Sequence, residues 1–119
     1  MHKILIVDDD KATATLLRTL FEMEGLDGVI CSRADQVVSD VRREQPDALL
    51  MDAHLAEVDS LYILHELKAD PALSAIPVVM VSGMDRSDEF LPAGAAAFVL
   101  KPFKPAELMG VLRRQLHAG

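Results

Sequence analysis

The chain has 119 residues, half of them hydrophobic and 26% charged, with a formal net charge of −7 at pH 7. That size suits one ordinary domain, 1–119, and the apolar content excludes disorder, while no apolar run reaches the roughly 18 residues that span a membrane. The acidic balance is unrelieved by any lysine and arginine stripe, so direct nucleic-acid binding is not expected.

Met1-His2-Lys3 leads straight into Lys3–Val7, an apolar β-branched run that reads as the first strand. A signal peptide has no room there, and a cytoplasmic address is expected. The strand ends in Asp8-Asp9-Asp10. Two carboxylates about 4 Å apart repel by roughly 4 kcal/mol at an effective dielectric near 20. The junction therefore needs a proton, a cation or water, and the tripeptide alone leaves a divalent-cation site and a solvated helix cap both open. Asp10 has the chemistry of an N-cap for the next helix. In that helix Leu16, Leu17, Leu20 and Phe21 form the apolar face, and Gly25 ends it.

Val29–Ser32 reads as the second strand, with the single cysteine, Cys31, as a small core or edge residue. His2, His54, His65 and His117 show no metal-ligand spacing, which argues against a zinc site. Val37, Val38 and Val41 mark a second helix, and Ala48–Met51 a third strand that delivers Asp52. Asp59 and Ser60 cap a third helix carrying Leu64 and Leu67, with Tyr62 as a core or flanking aromatic and His65 on the solvated side. Pro77–Val81 is the fourth strand and delivers Ser82. Asp85 suits a helix N-cap, but Pro92 interrupts the helix it would start, at a cost of about 3 kcal/mol in a helix interior, so a short, kinked or mobile fourth helix is expected. Ala97–Leu100 is the fifth strand and delivers Lys101. From Pro105, Leu108, Val111, Leu112 and Leu116 repeat as one face of a last amphipathic helix.

Short apolar runs alternating with helical segments specify an α/β fold whose parallel sheet is covered on both faces. In such a sheet the carboxyl ends of the strands share one edge, where ligands bind. With strand order 2-1-3-4-5, Asp8, Asp9 and Asp52 come together, and Ser82 and Lys101 approach from the other side. Three carboxylates facing a hydroxyl and an ammonium suit a hard cation and a phosphoryl group, and an aspartate can itself be the nucleophile.

Val7-Asp8-Asp9-Asp10, Leu49-Leu50-Met51-Asp52, Val79-Met80-Val81-Ser82-Gly83, Gly94-Ala95 and Lys101-Pro102-Phe103 together resemble the receiver domain of two-component response regulators. The resemblance runs from Lys3 to about Leu116. It implies a flavodoxin-like, doubly wound five-stranded sheet and a phosphorylation-dependent signalling switch. Asp52 is implied as the phosphoacceptor, served by a sensor histidine kinase or phosphotransfer protein. Mg2+ is implied on Asp8, Asp9, Asp52 and the backbone carbonyl of His54. Lys101 would pair with the phosphoryl oxygens, Ser82 would move to hydrogen-bond them, and Phe98 would follow as the switch aromatic. A cis Lys101-Pro102 bond is implied as well. The switched surface, fourth helix to fifth helix, would address a downstream protein or a fused output domain, and no small-molecule turnover is expected.

The sequence departs from that family in two places. Many members carry Met-Pro and then Asp-Gly after the phosphoacceptor, whereas this chain reads Leu55-Ala56-Glu57-Val58-Asp59-Ser60, which puts the loop's conformation in question. Ala95-Ala96-Ala97 lacks the acidic residues of receivers that dimerise through their last strand and helix, making that dimer less expected. Two other readings compete. A degenerate receiver could serve as a non-phosphorylated protein-interaction scaffold, against which stands the retention of all five polar residues. A magnesium-dependent phosphohydrolase would need a second aspartate two residues after Asp52, where His54 stands, and a cap domain.

Overall fold

Continuous apolar runs need a helix on each side, and the computed structural model, which describes residues 1–117, shows that arrangement. The last two residues of the expected domain, 118 and 119, lie outside the described residues. Five parallel strands, β1 (Lys3–Val7), β2 (Asp27–Cys31), β3 (Ala48–Asp52), β4 (Val78–Ser82) and β5 (Ala97–Leu100), are ordered β2-β1-β3-β4-β5. Each pair of neighbours in that order is directly registered: Val7 lies opposite Cys31 and Met51, Asp52 opposite Val81, and Ser82 opposite Leu100.

Side chains alternate across a strand, so each strand feeds two cores. Leu5, Val7, Leu49, Met51, Val78 and Met80 pack with α2 (Val37–Glu44), α3 (Ser60–Ala69) and the Phe90 ring of α4 (Ser87–Phe90). Ile4, Ile6, Leu50, Val79 and Val81 pack on the other face with α1 (Lys11–Met23) and α5 (Pro105–His117). No helix among the described residues is long and apolar enough to cross a membrane.

Local chemistry sets the helix ends. Asp10 Oδ1 accepts from the Ala12 N–H at 3.2 Å and its Oδ2 from the Thr13 hydroxyl at 2.7 Å, which caps α1 as its sequence position predicts. Asp59 does the same for α3, accepting from the Leu61 N–H at 3.0 Å. Asp85 accepts from the Ser87 N–H at 3.0 Å, but α4 is a single turn followed by turns through Pro92.

The structure corrects the sequence reading at several points: β2 ends at Cys31 rather than Ser32, β3 runs on to include Asp52, and β4 is Val78–Ser82 rather than Pro77–Val81. β2 begins two residues earlier than expected, at Asp27. Gly28 hides that start: an added Cβ would stand 3.3 Å from Arg18 Cα, so the strand runs close beneath α1, where a side chain would be tight. Leu16 is 71% exposed, because Ala14, Leu17 and Phe21 centre the buried stripe and Leu16 falls beside it. Tyr62 is 77% exposed for the same reason, since α3 buries Ile63, Leu64 and Leu67. The segment after β3 is no plain loop but a β-hairpin, with His54–Leu55 paired antiparallel to Val58–Asp59.

Candidate active site

The carboxyl ends of β1, β3, β4 and β5 share one edge of the sheet. Asp52, the last residue of β3, lies at its centre. Its Oδ2 accepts from the Lys101 ammonium at 2.6 Å, and its Oδ1 from the His54 backbone N–H at 3.0 Å. The buried Ser60 hydroxyl donates to the Asp52 main-chain carbonyl, and the Ser60 N–H donates to the Ala53 carbonyl at 2.9 Å, so α3's first residue fixes the strand end that carries the acid. Lys101 is brought over by β5, whose extension is tied to β4 through the Lys101 N–H on the Ser82 carbonyl at 2.8 Å. The Lys101-Pro102 bond is cis.

Asp8 is 4% exposed, and its Oδ1 accepts from the Asp10 N–H at 2.9 Å. Burial pushes its carboxyl above the ordinary aspartate value; the Asp10 N–H works against that, the Asp52 and Asp9 charges add to it, and Lys101 offsets part of it. A half-compensated buried carboxylate beside two others is the environment a divalent cation relieves. Among the described residues no three His, Cys, Asp or Glu side chains already converge as ligands. Mg2+ is usually held by one or two carboxylates and keeps several waters. Asp8, Asp9 and Asp52 are the acids that fit such an ion.

Asp9 is exposed and turned toward the hairpin, its Oδ2 accepting from the Ala56 N–H at 2.8 Å. Ser82 is 2% exposed; its hydroxyl oxygen accepts from the Met84 N–H at 3.1 Å, within its own loop rather than on Asp52. Phe98, half-buried on β5, stands 6.0 Å from the Phe90 ring of α4. The strand ends thus gather Asp8, Asp52 and Lys101 directly, with Asp9, Ser82 and Phe98 on the surrounding loops and strand.

Two residues whose part in the site the sequence reading missed complete the surroundings. Ser60 was visible only as a helix cap. Arg86, at the start of α4, donates to Asp59 at 2.9 Å and to Glu89 at 2.7 Å, lies 3.4 Å from His54 Nε2, and stacks over Phe90 at 4.9 Å from the ring centroid. These carboxylates, Glu89 first, hold its guanidinium even more firmly protonated than usual. The Arg86/Glu89 spacing was readable as an i,i+3 pair; the bridge to Asp59 depends on the fold.

Comparisons with known proteins give the family and the fold. Among curated relatives, the DNA-binding response regulator MtrA of Mycolicibacterium smegmatis is 33% identical over 118 residues, covering 97% of this chain and 50% of that protein. The chain therefore spans about half the length of the curated relatives it matches. Among solved structures, the BeF3-activated N-terminal receiver domain of Klebsiella pneumoniae RstA superposes with a TM-score of 0.87 at 29% identity, covering 97% of this chain and 98% of that one. The receiver domain of a Pseudomonas aeruginosa sensor histidine kinase, described with a magnesium ion coordinated in its active site cleft, gives 0.86 at 27% identity, with 97% of each chain covered. Residues 4–113 match the family model of the response regulator receiver domain, and to that family of two-component signalling domains the chain belongs.

Proposed function

We propose that the domain accepts a phosphoryl group on Asp52 from the phosphohistidine of a sensor histidine kinase or phosphotransfer protein, and that this changes the surface it offers a downstream target or fused output domain. The observation that carries the reading is Asp52 held between the Lys101 ammonium at 2.6 Å and the His54 N–H at 3.0 Å, with buried Asp8 alongside.

In the proposed reaction an Asp52 carboxylate oxygen attacks phosphorus, the P–N bond to the donor imidazole breaks, and its electron pair leaves on the imidazole nitrogen. Phosphoryl transfer proceeds through a loose transition state, so positioning and charge neutralisation supply the catalysis. Mg2+ on Asp8, Asp9, Asp52 and the His54 carbonyl would neutralise charge on the transferred group. Lys101 exchanges its Asp52 oxygen for a phosphoryl oxygen. Ser82 swings its hydroxyl proton over and donates it to the phosphoryl group, and Phe98 repacks against Phe90 as the loop moves. Turnover of small phosphate esters is not part of this reading, because His54 stands two residues after Asp52, where a phosphohydrolase would carry a second aspartate.

Incubation with acetyl phosphate and Mg2+, followed by intact-mass measurement, tests the proposal. Wild type should gain one phosphoryl group, Asp52→Ala none, and chelation should abolish the gain. Absence of any gain in wild type would leave a non-phosphorylated scaffold, and sustained release of phosphate from esters would favour a hydrolase.

A further inference from the structure

We propose that the backbone N–H of Ala56 is the positioning donor for Asp9, so that the hairpin after β3 presets one of the cation-binding carboxylates. This rests on the reading of Asp9 as a Mg2+ ligand. The hairpin turns at Ala56 and Glu57, closed by the pair Leu55/Val58 with His54/Asp59 next to it. Ala56 occupies the first turn position with φ +55°, the left-handed region in which glycine is at ease and alanine is not.

What holds that conformation is on either side of it. Leu55 is buried, with 2% exposure, and Asp59 is fixed by its cap on Leu61 and by Arg86 at 2.9 Å. At the tip, the Ala56 N–H meets Asp9 Oδ2 at 2.8 Å across 47 residues of sequence. A hydrogen bond to a carboxylate is charge-assisted and directional. It occupies one oxygen and leaves Oδ1 for a cation. Hydrogen bonds that orient ligating carboxylates are worth about 10- to 100-fold in metal affinity.

The donor exists because residue 56 is not proline. Proline has no N–H and fixes φ near −65°, so it can make neither this bond nor this turn. The Ala56 that breaks the family's Met-Pro pattern is therefore the residue that ties Asp9 to the loop beside Asp52.

Mg2+ titration of the unphosphorylated full chain, followed by amide chemical shifts, tests the assignment. Ala56→Gly keeps the N–H and takes φ +55° freely, and should retain the wild-type Kd. Ala56→Pro should raise Kd about 10-fold or more, as should Asp9→Ala. In wild type, saturating Mg2+ should slow exchange of the Ala56 amide proton, because a donor that favours the bound cation is reciprocally protected by it. A folded Ala56→Pro with wild-type Kd overturns the proposal, and so does an Ala56 amide that Mg2+ leaves unprotected. The exchange measurement decides alone if the proline variant does not fold. Loss of binding in Asp9→Ala with no change in Ala56→Pro would retain the metal reading and reject the positioning role. A wild type without saturable Mg2+ binding would reject both.

Discussion

Asp8 carries the electrostatic tension of the site. It is buried at the end of β1, with Asp52 and Asp9 near enough to raise its carboxyl further and only Lys101 and one backbone N–H in opposition. Because its folded value lies above the 3.8 of the free group, the native state binds the proton more tightly than the unfolded chain. Stability therefore falls as pH rises through the window between those two values, and the loss is complete above it. Asp8→Asn removes the titration. In the presence of chelator, calorimetry should give the variant a higher Tm than wild type at neutral pH, with the difference shrinking toward the ordinary aspartate range of about 4. Asp10, Asp59 and Asp85, whose values are lowered by their caps and by Arg86, contribute the opposite slope, but equally to both proteins. A gap that stays constant with pH would show that Asp8 is not the group responsible.

At the scale of elements, the strands were legible because continuous apolar runs with abrupt polar ends leave a direct mark: β1 and β5 occupy their expected bounds, and Asp52, Ser82 and Lys101 close or follow three strands as read. What escaped was whatever depends on neighbours. Gly28 belongs to β2 through its pairing with β1, where α1 packs close above it, and the hairpin at 54–59 is held by contacts with Asp9 and Arg86 and closed at its base by the Ser60 N–H on the Ala53 carbonyl. The one-turn α4 is the other such case. Its first residues are fastened by Arg86 to Asp59 at the start of α3, beneath a stacked Phe90. Arg86→Ala should cost roughly 0.5 to 2 kcal/mol in chemical denaturation, since it removes two partly exposed ion pairs together with the packing of the arginine stem. The larger effect should be local: amide exchange from Ser87 to Gly94 should accelerate while β3 and β4 stay protected. Uniform loss of protection across the sheet would instead assign Arg86 a global stabilising role.

For the whole molecule, the question is whether one phosphoryl group supplies enough energy to turn the switch over. Inverting a 1:99 equilibrium to 99:1 takes about 5.5 kcal/mol. A phosphoryl group recruits about one to three charge-assisted hydrogen bonds, at roughly 1.5 to 3 kcal/mol each. In the proposed reaction one of the expected donors is already engaged: Lys101 leaves an existing bond to Asp52, so its new bond replaces an old one, whereas Ser82 Oγ accepts from the Met84 N–H and its hydroxyl proton must be swung over from that loop. A net gain of about 3 kcal/mol would move 1:99 only to roughly 6:4. The phosphorylated domain should then interconvert between two arrangements of the surface from β4 to β5, and a partner that prefers one of them would complete the shift. Relaxation-dispersion measurements on the protein saturated with Mg2+ and beryllofluoride should show exchange on the microsecond-to-millisecond scale from Ser82 to Leu100, including Phe98. A single sharp set of signals without dispersion there would mean that the phosphoryl site alone supplies the full inversion, and that the bond Lys101 surrenders is weaker than the one it forms.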